Sequence, residues 1–179
     1  MSWERRNNFD LDHVSFGHDI ETAYLLLDAT NTLGNHHDTM TLRVAKKMVD
    51  HTMNNGWDKS RGGIFDGGYY NEGEENAITI VKKTKEFWSQ VEAQNSFLMM
   101  SQLYPDDSVY YYKFLEMWDY NKKYVIDNNY GGWYWRGSDA SPEVKYMAKA
   151  DIWKADYHTS RAMINCLRRL DPTKKDILE

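Results

Sequence analysis

Gly17-His18-Asp19-Ile20-Glu21-Thr22-Ala23-Tyr24-Leu25-Leu26-Leu27-Asp28-Ala29 is the stretch that decides the fold. Its periodicity is helical, and a helix is expected over residues 18–32, closed by Gly34. Apolar side chains go almost all round this helix, so it should be buried on most sides. Its first turn nevertheless carries an imidazole and two carboxylates. A buried helix with a polar mouth is the arrangement of an inner element whose end opens on a site.

Working outward, the same pattern alternates with its opposite. Over residues 38–54, Leu42, Ala45, Met48, Val49 and Met53 form one stripe, opposed by Arg43, Lys46, Lys47 and Asp50. That is a half-exposed outer helix. A third helix, over 85–104, is apolar all round through Phe97, Leu98, Met99, Met100 and Leu103. A fourth, over 108–127, sets Tyr111, Phe114, Leu115 and Trp118 against Lys113, Glu116 and Asp119. A fifth, over 156–170, carries Ala162, Met163, Ile164, Cys166 and Leu167. Glycine-rich aromatic segments, Gly62-Gly63-Ile64-Phe65-Asp66-Gly67-Gly68-Tyr69-Tyr70 and Gly131-Gly132-Trp133-Tyr134-Trp135, read as short strands around turns. Residues 71–76 are polar and acidic and read as an exposed loop.

The order buried, exposed, buried, exposed, buried predicts an all-α protein, part of a toroid of helix pairs with hairpin-like loops. In such a ring the inner helices run the same way, and their N-termini converge on one face. Five helices make about half of a closed ring. The expectation is that the rest lies in a missing N-terminal region, or that two chains complete each other. An open half-ring exposes the apolar faces of its inner helices, so association with a partner fragment or with a second copy is expected.

The chain of 179 residues is long enough for one domain. Its net charge of −5 and the lack of a basic block argue against a nucleic-acid partner. No stretch is apolar for long enough to span a membrane. The N-terminus lacks the apolar core of a secretion signal. A single cysteine, Cys166, precludes an internal disulfide and fits a cytoplasmic location.

The candidate chemistry lies at the helix mouths. His18 and His158 can act as a general acid–base pair, since imidazole removes and returns protons near neutrality; each can equally be a hydrogen-bonded helix-terminal histidine. Glu21 lies one turn after His18 on its face, able to orient an imidazole or accept from sugar hydroxyls. Asp19 is a helix-start residue or a site residue. Arg161, one turn after His158, can anchor a hydroxyl or pair with a local acid. Trp88 and Trp153 each open a buried helix and offer flat apolar faces for a sugar ring. Lys85, Glu86, Gln90 and Glu92 give the third helix a polar mouth, mostly explained by surface solvation. His36, His37 and Asp38 lack supporting ligand spacing, so no metal is expected. His13 and His51 fit no pattern. No phosphate-cradling glycine motif, dinucleotide fingerprint or serine nucleophile elbow occurs.

Three ordered segments carry a resemblance. Residues 15–21 (Ser-Phe-Gly-His-Asp-Ile-Glu), 85–92 (Lys-Glu-Phe-Trp-Ser-Gln-Val-Glu) and 153–161 (Trp-Lys-Ala-Asp-Tyr-His-Thr-Ser-Arg) make the chain similar to the N-acylglucosamine 2-epimerase superfamily. Asp19 tilts it towards the cellobiose 2-epimerases. The resemblance implies an (α/α)6 barrel and cofactor-independent epimerisation beside a sugar's carbonyl carbon. It implies that the substrate is a mono- or disaccharide, opened to its aldehyde. His18 and His158 match the two histidines that move the carbon-2 proton through an enediolate. Glu21, Trp88 and Trp153 match sugar-contacting positions, and Asp66 matches an acidic sugar contact. These enzymes are about twice as long as this chain, which implies a C-terminal half with the acid–base pair and an incomplete site. Aldose–ketose isomerisation on the same scaffold, a glycoside hydrolase using Asp19, Glu21, Asp66 and Glu92, and a non-catalytic sugar-binding remnant are the competing readings.

Overall fold

A computed structural model describes residues 13–36, 38–71, 77–171 and 173. Five α-helices dominate: α1 (Phe16–Thr32), α2 (Thr39–His51), α3 (Phe87–Leu103), α4 (Val109–Tyr120) and α5 (Tyr157–Leu170). Helices α2 and α4 each run on into a single π-helical turn, Thr52–Gly56 and Asn121–Val125. Three strands, β1 (His13–Ser15), β2 (Gly67–Tyr70) and β3 (Ile78–Lys82), form one antiparallel sheet in the order β1-β2-β3. Val14 pairs with Gly68, and Gly68 with Ile80. The expected strand at residues 131–135 is reduced to an isolated bridge between Ile126 and Trp133. Residue 37 and most of the expected 71–76 loop lie outside the described residues.

Helix α3 is the centre of the arc. It is buried from Phe87 to Met100 apart from Trp88, and it packs against α1, α4 and α5. Each fully buried Phe or Met on it contributes about 1.5–3 kcal/mol of transfer free energy. The polar residues of this helix are paired across its packed faces. Ser96 Oγ donates to Ile20 O at 2.9 Å, and Gln90 exchanges hydrogen bonds with both the N–H (2.8 Å) and the C=O (2.9 Å) of Ile64. An amide matches a backbone donor and acceptor together, which is why Gln90 is tolerated at 0% exposure.

Helices α1 and α5 flank α3 and are less covered than their apolar content predicts. Leu25 and Leu26 of α1, and Ile164, Leu167 and Leu170 of α5, are exposed. The expectation that α1 is buried on most sides is corrected: among the described residues, α2, the π turn after it and α3 are the elements that pack closely against it. Likewise Lys85, Gln90 and Glu92 are not a solvated mouth; all three are at most 1% exposed.

The arc is a repeat that the periodicity of single helices does not display. After each outer helix the chain makes the same loop, Asp-x-x-x-Gly-Gly, at Asp58–Gly63 and Asp127–Gly132. In both, the aspartate Oδ1 accepts the N–H two residues on, from Ser60 at 2.8 Å and Asn129 at 2.9 Å. Both glycines of each pair have φ between +75° and +79°, where a β-carbon would be strained. A lysine then locks each loop. Lys85 Nζ donates to Asp58 Oδ2 and Gly62 O at 2.8 Å each. Lys149 Nζ donates to Gly131 O at 2.7 Å and pairs with Asp127. Lys85 also reaches Asp139 of the following unit at 2.8 Å, which ties the two units together. His18, Trp88 and His158, at the heads of α1, α3 and α5, are spaced 70 residues apart.

Candidate active site

The heads of the three inner helices meet. Trp88 packs against both histidines, with ring centroids 4.8 Å from His18 and 5.3 Å from His158. Two residues 140 apart in the chain thus share one indole as neighbour. Gly17 permits this approach: a β-carbon there would collide with the Trp88 ring and the Ser89 hydroxyl. A cleft of about 290 Å³ is lined by His18, Glu21, Phe87, Trp88, Trp135, Trp153, Tyr157 and His158. A second, larger cleft of about 610 Å³ shares His18 and Trp88 and is walled by the sheet, with Asp66 and Glu86 on its border.

The two imidazoles are held differently. His18 is exposed, and its Nδ1 shares a 2.6 Å hydrogen bond with the hydroxyl of Ser15, which precedes α1 and does not cap it. His158 is buried, and its Nδ1–H donates to Glu92 Oε1 at 2.7 Å. A carboxylate on Nδ1 fixes the tautomer and leaves Nε2 as the basic nitrogen. Arg161 Nη2 donates to Glu21 Oε1 at 2.5 Å and also to Glu92 Oε1. Burial opposes the guanidinium charge, but Glu92 and Glu21 outweigh it and push its pKa up. Ligand atoms of Glu21, Glu92 and His158 converge within 4.8 Å, a spacing open to a metal ion. Arg161 instead supplies the positive charge there.

The other expected residues separate. Trp153 lines the smaller cleft but is 80% exposed, in the segment before α5 rather than within it. Asp66 borders the larger cleft, and its carboxylate is engaged by the Thr84 hydroxyl and the Glu86 N–H (3.0 Å). Burial raises its pKa. Asp19 faces away from the cleft residues, bonded through Oδ2 to His51 Nδ1 at 2.9 Å; the Tyr70 hydroxyl donates to His51 Nε2 at 2.9 Å. His51 therefore has a role, joining the first turn of α1 to strand β2. Glu92 is the residue whose importance the sequence understated. Its place four residues after Trp88, on the helix that faces both histidines, was the available signal.

The N-acylglucosamine 2-epimerase (GlcNAc 2-epimerase) family profile matches residues 2–162. The chain belongs to this family. It is 26% identical over 178 residues to a cellobiose 2-epimerase of Dictyoglomus turgidum, covering 94% of this chain and 41% of that protein. It is 29% identical over 168 residues to a cellobiose 2-epimerase of Ruminococcus albus, covering 88% of this chain and 38% of that protein. Among solved structures, a D-mannose isomerase superposes with a TM-score of 0.74 at 26% identity, over 88% of this chain and 37% of that one. The cellobiose 2-epimerase of Bacillus thermoamylovorans superposes with a TM-score of 0.71 at 28% identity, over 89% and 38%. This member of the epimerase family thus has the helices of part of an (α/α)6 toroid. It spans about two fifths of the length of the relatives it matches. Among the described residues no helix is long and apolar enough to cross a membrane.

Proposed function

We propose that the clefts at the heads of α1, α3 and α5 bind a reducing sugar and invert its carbon 2. The contact of both His18 and His158 with Trp88 carries this reading. In the open-chain sugar the carbon-2 proton is acidified by the neighbouring aldehyde. One imidazole removes it, leaving an enediolate. After rotation of that intermediate the other imidazole returns a proton to the opposite face. Each transfer uses Nε2, because Nδ1 is taken up by Ser15 in one case and Glu92 in the other. Glu92 positions His158, and Arg161 pairs with both Glu92 and Glu21. Trp88 and Trp153 offer ring faces to the sugar's C–H surfaces, Glu21 and Asp66 accept from hydroxyls, and no cofactor enters.

Aldose–ketose isomerisation is the second reading, favoured by the similarity to a D-mannose isomerase. It uses the same enediolate but returns the proton to carbon 1. Incubation of the chain with cellobiose or mannose in heavy water distinguishes them. Deuterium at carbon 2 of the epimer supports inversion, and deuterium at carbon 1 of a ketose supports isomerisation. Binding without any exchange leaves the sugar-binding remnant as the answer.

The arc corresponds on this proposal to the C-terminal half of a closed ring, in which further helices complete the site. The exposed apolar residues of α1 and α5 are the edges that the remaining helices, or a second copy, would cover. Light scattering on the isolated chain tests this: a dimer or larger assembly supports it, and a monodisperse monomer opposes it.

A further inference from the structure

Reducing sugars are almost entirely closed hemiacetals in water, so chemistry at carbon 2 requires a group that opens the ring. Opening transfers a proton to the ring oxygen while one leaves the anomeric hydroxyl. A neutral carboxyl can do both at once: its O–H donates to the ring oxygen, and its C=O accepts the hydroxyl proton. The bond from carbon 1 to the ring oxygen breaks, the C=O bond at carbon 1 forms, and the carboxyl is regenerated. Reclosure on the other face of the aldehyde gives the other anomer.

We propose that Glu86, on the border of the larger cleft beside His18 and Trp88, is that carboxyl and gives this chain an anomer-interconverting activity. The proposal rests on the reading of the clefts as a sugar site. Glu86 stands at the head of α3, yet its side chain makes no capping hydrogen bond to the helix. It is side-on to solvent, 21% exposed, with Oε1 3.3 Å from Arg136 Nε. Its own N–H is fixed by Asp66, so the backbone beneath the carboxyl is held in place. The charged and titratable groups around it are Asp66 before β2, Arg136 on the facing loop, and His13, His18 and Lys82 lining the same cleft. Burial, then the Asp66 charge, pushes the Glu86 carboxyl up to about 7 against the pull of Arg136. Acid and base forms are then both populated near neutrality, the condition for efficient proton transfer.

The test follows the optical rotation of freshly dissolved α-D-glucose and of cellobiose with the full chain. The wild type should accelerate equilibration, and Glu86→Gln should lower that acceleration about 100-fold. Glu143→Gln, an exposed control, should leave it unchanged. The wild-type acceleration should fall as pH rises above about 7, as the acid form is lost. Arg136→Gln removes the cation that opposes protonation, and should move that fall to higher pH. An unaltered Glu86→Gln rate, or an unmoved profile in Arg136→Gln, overturns the proposal. So does a wild type that binds sugar by saturation-transfer NMR without accelerating equilibration. Absence of any sugar binding overturns it together with the reading of the site, and the binding measurement separates the two failures.

Discussion

His158 Nδ1 lies 2.7 Å from Glu92 Oε1, and both residues are buried. The carboxylate on α3 therefore sets which nitrogen of the α5 imidazole is basic. Glu92→Gln keeps the shape but offers an amide that can present either a donor or an acceptor to Nδ1. Loss of carbon-2 exchange by about 100-fold or more is expected, with sugar binding little changed. Deuterium incorporation followed by NMR, alongside saturation-transfer binding, checks both halves.

Arg161 compensates two carboxylates at once. Arg161→Met leaves Glu92, fully buried, and Glu21 without their cation. Breaking such a pair from one side costs about 3 kcal/mol. A urea titration should show the midpoint falling with little change in slope. An unchanged midpoint would count against a stabilising role for Arg161.

The loop clamps predict acid sensitivity. Burial works against the Asp58 charge, but hydrogen bonds from Lys85 and Ser60 outweigh it and hold the carboxyl at about 2. Asp127 is held at about 2, first by Lys149. A carboxyl with a depressed folded pKa contributes stability that is present above the unfolded value and lost as pH falls through the folded one. The melting temperature should therefore drop between pH 4 and pH 2. In Lys85→Met the melting temperature should already be lower at pH 7, and the part of the drop between pH 4 and pH 2 that comes from Asp58 should shrink.

Glu86 has the opposite sign. Its pKa is raised, so its contribution is full below the unfolded value near 4.5 and is lost as pH rises through about 7. Glu86→Gln should remove that decline. The variant should melt above the wild type at pH 8 and lose this advantage at pH 4. Parallel melting curves across that range would show the carboxyl to be ionised in the fold.

The alternation of all-round and one-sided apolar helices was enough to anticipate the arc, and His18, Trp88 and His158 were legible as helix-head residues. The repeat was less visible, because only Asp-x-x-x-Gly-Gly and a distant lysine survive in both loops. Those residues meet shared backbone needs, positive φ and amide capping, while the packed positions differ between the two loops. The reading of Glu92 and Gln90 as solvated failed for a physical reason. Hydrophilic residues at a helix head look alike whether water or a neighbouring element satisfies them.

The sequence by itself determined the helices, their order and the residue types at their heads, since these follow from local periodicity and turn chemistry. Only the tertiary structure decided which heads touch. It set two imidazoles against one indole, placed Glu92 behind His158 and put Arg161 between two acids. It also turned Asp19 away towards His51. Those relations depend on long-range packing around α3, which no local pattern encodes.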